Sequence, residues 1–282
     1  MTGISENRQK KIAVVNDLSG YGRCALTVAI PVISALGIQC CPVPTSILSN
    51  HTGFFTYFFD DYTSKMVPYL EEWKKLDLGF DGIYTGFLGS EEQIDIVAGM
   101  IRDFGGKRTK IIIDPIMGDN GKPYQTYTPQ MCQRMRELVT LGNIVTPNLT
   151  EGCILTGRDY KNTGWSRQEL TDIGGEIVAM GPDTVIMTGI RQGNFIANLV
   201  LERGKEAVFV RTRKVGRPRP GTGDIFSSIV AAMAVKGTEV KEAVKTAAWF
   251  VRECILESEA LKEPVENGVC FEQVLPRLMK RK

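Results

Sequence analysis

Along the chain, short β-branched and apolar runs alternate with longer stretches whose apolar positions recur every three or four residues. The runs at 11–16, 38–45, 82–85, 110–113, 144–145 and 181–188 read as strands, because Val, Ile and Thr suit a pleated, buried surface. Helical spacing predicts helices ending at Leu36, over 63–76, over 90–104 and near 129–141, with another starting near Pro147. Gly37 stops the first of these, and Glu91 and Glu92 occupy the first turn of the third, where negative charge suits a helix N-terminus. Two runs at 194–201 and 207–212, with Arg203-Gly204-Lys205 at the turn, read as an antiparallel pair, and a helix pair follows Thr238. Strand and helix alternating in this way predict an α/β, three-layer αβα fold with a mostly parallel central sheet and helices on both faces. No repeat, low-complexity segment or linker divides the chain, so a single domain over 1–282 is expected.

The most informative helix is the one predicted to start at Pro220-Gly221-Thr222-Gly223-Asp224. Ile225, Phe226, Ile229, Val230 and Met233 recur at helical spacing among small Ser227, Ser228, Ala231 and Ala232, so the helix is expected to be buried. Its first N–H groups lack partners within the helix and its dipole favours an anion, which suits a phosphate. Asp224 stands where that phosphate would be repelled. A general base is a task that explains it: the carboxylate takes the proton of an alcohol attacking a nucleotide's terminal phosphorus, while the glycine amides stabilise the transferring group. The competing reading is a helix cap.

Composition narrows the classes. A hydrophobic content of 43 % is ample for a core, and formal charges nearly cancel at +2, so neither nucleic acid nor a membrane is an expected partner. Seven scattered cysteines without a CxxC pair read as reduced thiols of the cytoplasm, not as a disulfide frame or zinc site. His51 is the sole histidine, which excludes a multi-histidine metal site and leaves a Ser-His-Asp triad one place to form. The segment 1–11 lacks the apolar core of a signal peptide and no run approaches the ~18 apolar residues of a membrane span, so a cytoplasmic protein is expected.

Polar residues gather where the predicted strands end, which in α/β proteins is the ligand-binding rim. Asp17 and Ser19 follow the first strand beside Gly20-Tyr21-Gly22, read as a glycine loop that meets a ligand or as a plain tight turn. A nicotinamide-binding loop fits poorly, because Ala25 stands where a third glycine belongs. Asp114 and Asp119 flank Pro115 and Gly118, an oxygen cluster of the kind Mg²⁺ and phosphates require, or an Asp-rich turn. Asn148 and Glu151, three apart, share one helical face, as ligands or as a cap. Asn50-His51-Thr52-Gly53 precedes Phe54, Phe55, Tyr57, Phe58 and Phe59, which read either as core or as a cover for a flat ring. The basic stretch Arg211, Arg213, Lys214, Arg217 and Arg219 runs into Pro220, where it would hold or cover a polyphosphate.

Taken together, Gly221-Thr222-Gly223-Asp224, Asn148-x-x-Glu151 and Asp114-Pro-x-Met-Gly-Asp119 resemble the ribokinase superfamily, over nearly the whole chain. Ser49-Asn50-His51-Thr52-Gly53 is similar to the signature of its vitamin B6 kinases, and Tyr127-Thr128-Pro129 and Thr146-Pro147-Asn148 fit that branch. The resemblance implies transfer of the ATP γ-phosphate to the 5′-hydroxymethyl of pyridoxal, pyridoxine or pyridoxamine, with Asp224 as base and the amides of Gly221, Thr222 and Gly223 as anion hole. It also implies that Asp119, Asn148 and Glu151 organise Mg²⁺ and the phosphates, Asp119 and Glu151 being the metal residues. Thr146, Thr188 and the segment from Arg213 to Pro220 would lie along the nucleotide, and Asp17, Thr52 and Tyr84 near the ring. A homodimer and help from a monovalent cation such as K⁺ are further implications. The segment Asn16-Asp17-Leu18-Ser19-Gly20-Tyr21-Gly22 looks instead like the corresponding loop of hydroxymethylpyrimidine kinases, which act on a thiamin precursor. That branch usually carries Cys where Asp224 stands and lacks the Asn-His-Thr-Gly segment, which favours the B6 vitamers. A kinase-shaped protein that binds pyridoxal phosphate without turnover is the remote alternative.

Overall fold

The computed structural model describes residues 8–281; of the segment read above as lacking a signal peptide, residues 1–7 lie outside the described residues. The chain begins with β1 (Lys11–Tyr21), α1 (Ala25–Ala35), β2 (Gln39–Asn50) and the short β3 (Phe59–Asp61). Next come α2 (Thr63–Lys75), β4 (Gly82–Thr85), α3 (Glu91–Phe104) and β5 (Lys110–Ile113). A small hairpin of β6 (Gly118–Asp119) and β7 (Lys122–Pro123) leads to α4 (Pro129–Val139), β8 (Ile144–Val145), α5 (Leu149–Thr156) and α6 (Arg167–Met180). The antiparallel run β9 (Thr184–Gln192), β10 (Phe195–Glu202) and β11 (Val208–Arg213) precedes α7 (Thr222–Val235), α8 (Val240–Ala260) and α9 (Leu275–Lys280).

Nine strands form one sheet in the order β11-β10-β9-β8-β5-β4-β1-β2-β3. The five pairings from β2 through β1, β4, β5 and β8 to β9 are parallel, and only the edges are antiparallel. Strand residues alternate between two buried clusters. Ala13, Val15, Ile83, Ile113 and Val145 meet α2 to α6, whereas Ile12, Val14, Ile112, Ile144 and Ile186 meet α1, α7, α8 and α9. Each Val or Ile among them contributes about 1.5–3 kcal/mol by leaving water. The three-layer αβα architecture expected from the sequence is therefore the observed one.

Strand order reverses at β1, which has β2 on one side and β4 on the other. A crevice at the carboxyl ends of the strands follows from that reversal. One expectation is corrected here. Residues 19–21 are not a loop: opposite Asp17, β2 bulges with Thr45 and Ser46, and β1 then continues to pair with β2 as far as Tyr21 opposite Asn50. The bulge takes up one extra residue of β2 and shifts the register by one, and the chain turns at Gly22, at φ 87°. Beyond Asn50, the aromatic segment does not enter the core, since Phe55 is 105 % and Phe58 65 % exposed.

Candidate active site

The N-terminus of α7 is fixed by a close crossing of backbones. Gly221 adopts φ 81°, and a Cβ there would lie 2.0 Å from the carbonyl oxygen of Arg23, so both conformation and space demand glycine. Gly223 differs, because a Cβ there would meet nothing within 4 Å. Gly221, Thr222, Gly223 and Asp224 form one wall of a cleft of about 720 Å³. Gly221 is itself the N-cap residue and makes no side-chain cap. The Asp224 carboxylate instead accepts from Asn16 Nδ2 at 3.3 Å. Asp224 also lies in the first turn of α7 and accepts from its own backbone N–H, so it serves the helix end while facing the cleft.

Across the cleft lie residues from three strand ends. Asn148 caps α5 by accepting from Glu151 N at 3.0 Å, while Glu151 Oε2 accepts from Asn148 N at 2.7 Å and its other oxygen from Met117 N at 3.2 Å. The pair is thus a capping box and part of the cleft wall at once. Asn148 Nδ2 also donates to Gly118 O at 2.8 Å, which ties the β6–β7 hairpin to α5. Thr146 Oγ1 donates to Ser227 Oγ at 3.0 Å, and Ser227 donates onward to Asp114 Oδ2 at 2.9 Å. Thr188, Arg213 and Asp119 complete this side of the cleft.

The basic stretch divides in two. Arg219 lies in the cleft lining, but its guanidinium is buried, with the side chain 0 % exposed, and donates to Glu259 and to the carbonyls of Glu263 and Pro264. Arg217 also lies near Glu259, and Arg211 stacks on Phe195. Arg213 and Lys214 face the cleft and enter no ion pair among the described residues.

Of the residues expected near the ring, none lies on the cleft wall. Tyr84 is 0 % exposed in the core behind α7, and its hydroxyl has no hydrogen-bond partner among the described residues. Its strand position explains this, since Tyr84 points to the face covered by α7, as Ile12 does. Thr52 lies in an exposed turn. Asp17 and Ser19 bond each other at 2.9 Å just behind the rim. The neighbour His51 does reach the cleft, but both ring nitrogens are engaged: Nδ1 accepts from Gly53 N at 3.1 Å and Nε2 donates to Glu266 O at 2.8 Å. It serves as a latch between two segments. Asp114, of the oxygen cluster expected after its strand, is on the wall, and so is Cys24, which stood outside the expected set.

Charge accumulates at one end of the cleft. Burial and the nearby Asp224 push the Asp17 carboxyl up to about 6. Burial, with Asp114 adjacent, holds Glu151 well above the usual carboxylate range. Asp224 is raised by burial, and the N–H of Ala25 and the Asn16 amide oppose that rise. Among the described residues no group of three or more His, Cys, Asp or Glu side chains could hold a metal ion. Both Glu151 oxygens already accept backbone N–H groups, and exposed Asp119 accepts from Asn120. This donor set suits a hard cation that arrives with phosphate oxygens and keeps its waters, not an all-protein cage.

The sequence pattern of the family described as phosphomethylpyrimidine kinase matches residues 28–267. The chain belongs to that family. Membership makes it a phosphotransferase that uses ATP and an alcohol acceptor. Among curated relatives, the pyridoxine kinase of Bacillus subtilis is 32 % identical over 194 residues, 67 % of this chain and 68 % of that protein. The hydroxymethylpyrimidine/phosphomethylpyrimidine kinase of the same organism is 28 % identical over 181 residues, 64 % of this chain and 65 % of that one. A candidate phosphomethylpyrimidine kinase from Bacteroides thetaiotaomicron, solved in a crystal form with pyridoxal, superimposes with a TM-score of 0.92 at 37 % identity, covering 96 % of both chains.

Proposed function

We propose that this protein transfers the γ-phosphoryl group of ATP to the 5′-hydroxymethyl of pyridoxal, pyridoxine or pyridoxamine. The observation that carries the reading is the Asp224 carboxylate at the mouth of α7, bonded to Asn16 and sharing one cleft with Asn148, Glu151, Thr188 and Arg213. Asp224 removes the hydroxyl proton as oxygen attacks phosphorus. The amides of Gly221, Thr222 and Gly223 receive the charge that develops on the transferring oxygens. Arg213, together with Thr146 and Thr188, lies along the nucleotide. Asp119, Asn148 and Glu151 would hold Mg²⁺, partly by way of water, and the ion would supply positive charge to the phosphates. K⁺ is proposed as an assisting monovalent ion. Asp17, Ser19 and Thr52 are assigned to the ring side of the acceptor, reached through the turn that His51 latches. The likeness to a structure holding pyridoxal and to a pyridoxine kinase supports the B6 vitamers.

Hydroxymethylpyrimidine is the second acceptor to test, because Asp17-Leu18-Ser19-Gly20-Tyr21-Gly22 and a relative at 28 % identity point that way. A second copy of this chain is the proposed partner. Tyr57, Phe58 and Phe59 are exposed beside the open edge of β3, and an edge with an apolar flank is self-complementary under a two-fold axis. Incubation of the three vitamers and hydroxymethylpyrimidine with ATP and Mg²⁺, read by product mass, tests the assignment. A phosphorylated vitamer is expected; product from hydroxymethylpyrimidine alone transfers the assignment to the thiamin branch, and ATP hydrolysis without product rejects it. Asp224→Asn should retain ADP binding and lose turnover by about 10²-fold or more.

A further inference from the structure

Asn16 is the last residue of β1 before the bulge, at the point where the strand order reverses. Its side chain is 0 % exposed. The amide oxygen accepts from Asp17 N at 3.0 Å and from Phe87 N at 2.8 Å. Two N–H donors on one oxygen leave the amide a single orientation, with Nδ2 directed the other way. In that direction stands Asp224 Oδ1, 3.3 Å distant.

The space for this side chain comes from Gly86. A Cβ on Gly86 would lie 2.3 Å from Asn16 Nδ2, 2.5 Å from Cγ and 2.7 Å from Oδ1. Gly86 does not have a positive φ. Glycine is required there for room, not for backbone freedom. Residues 16 and 86 therefore form a fitted pair across β1 and β4, and its product is an amide N–H group aimed at α7.

We propose that Asn16 is a positioning residue, seated on Gly86 and two backbone N–H groups so that its amide holds the Asp224 carboxylate in line with the acceptor hydroxyl. The inference rests on the reading of Asp224 as the base. A second effect follows from the surroundings. Asp17 opposite the bulge, Cys24 ahead of α1, Asp114 after β5 and Tyr84 of β4 all lie near Asp224, and none of them carries positive charge. Burial raises Asp224, and the Asn16 amide is one of the donors that favour its ionised form.

The test uses the full-length protein with Asn16→Ala, Gly86→Ala and the double variant. ADP binding is the control for an intact nucleotide site. Asn16→Ala is expected to lower kcat about 10- to 100-fold, the range for a lost hydrogen bond to a charged group. KM for ATP should change little, and the acid limb of the kcat–pH profile should move upward by about one unit. Gly86→Ala should reproduce that signature by pushing the amide aside. The double variant should be no slower than Asn16→Ala, because the amide that the added methyl group would displace is gone. An unmoved profile in either single variant, or losses that multiply in the double, overturns the proposal. Should Asn16→Ala fail to bind ADP, Gly86→Ala decides alone. Carbon-13 NMR titration of the Asp224 carboxyl gives a readout independent of turnover, with a higher midpoint expected in Gly86→Ala than in the parent and an equal one overturning the idea. A parent enzyme that phosphorylates no acceptor sinks the assigned function, whereas an active parent with indifferent variants sinks only the role of Asn16.

Discussion

At the scale of single residues, the site is held together by positions that admit one solution. Gly221 faces both a positive φ and a carbonyl 2.0 Å from any Cβ. Gly221→Ala is expected to lower stability by roughly 1–3 kcal/mol, read in urea denaturation, and to weaken ADP binding through movement of the α7 mouth. Asp17 offers a pH signature. Its folded carboxyl titrates near 6 against an ordinary value of 3.8, so between those limits the folded state keeps a proton that the unfolded chain has released. The resulting penalty is full above about pH 6 and vanishes below about pH 4. Asp17→Asn should therefore raise Tm at pH 8, by the equivalent of about 1–2 kcal/mol, and leave it nearly unchanged at pH 4. At this scale the sequence was legible where chemistry is local. Gly-Thr-Gly-Asp and Asn-x-x-Glu lie in single turns and reach the cleft. Asn16 and Ser227 were not legible, because an Asn after a strand and a Ser in a buried helix take their meaning from partners at residues 224 and 114.

Elements show a similar division. The strands 82–85, 110–113 and 144–145 were readable to the residue, since each is a short buried run with clear ends. Helix α6 was missed. Its capping box, Ser166 with Glu169, was present in the sequence, but Gly174 and Gly175 interrupt the helical signal. Packing explains one of them: a Cβ on Gly174 would press within 3.3 Å of Leu199 and Leu201. The β6–β7 hairpin also escaped notice, although Asn120-Gly121 marks its turn, because two-residue strands carry no periodicity. That hairpin depends on α5. Asn148→Ala removes both the cap of α5 and the bond to Gly118 O, so a stability loss of about 1 kcal/mol and a raised KM for ATP are expected. A thermal melt and initial rates at varied ATP check the two effects.

For the whole molecule, alternation of strand and helix fixed the layer architecture in advance, yet strand order could not be read from it. The reversal at β1 depends on which neighbours each strand chooses, and it is this reversal that opens the crevice. The aromatic segment 54–59 was equally opaque: its composition suited a core, and its exposure emerged only once β2 had carried it past the sheet. Phe58→Asp should shift sedimentation from dimer to monomer, while a parent protein that sediments as a monomer removes the proposed pairing. Finally, the buried guanidinium of Arg219 fixes the segment that leads into α7. Residues 214–218 are moored at one end by the pairing of Arg213 with Phe195 and at the other by Arg219 under α8. Within the span Lys214 N donates to Asn194 O and Arg217 N to Glu259 Oε1, so the backbone beside the cleft is tied down along its length and not only at its ends.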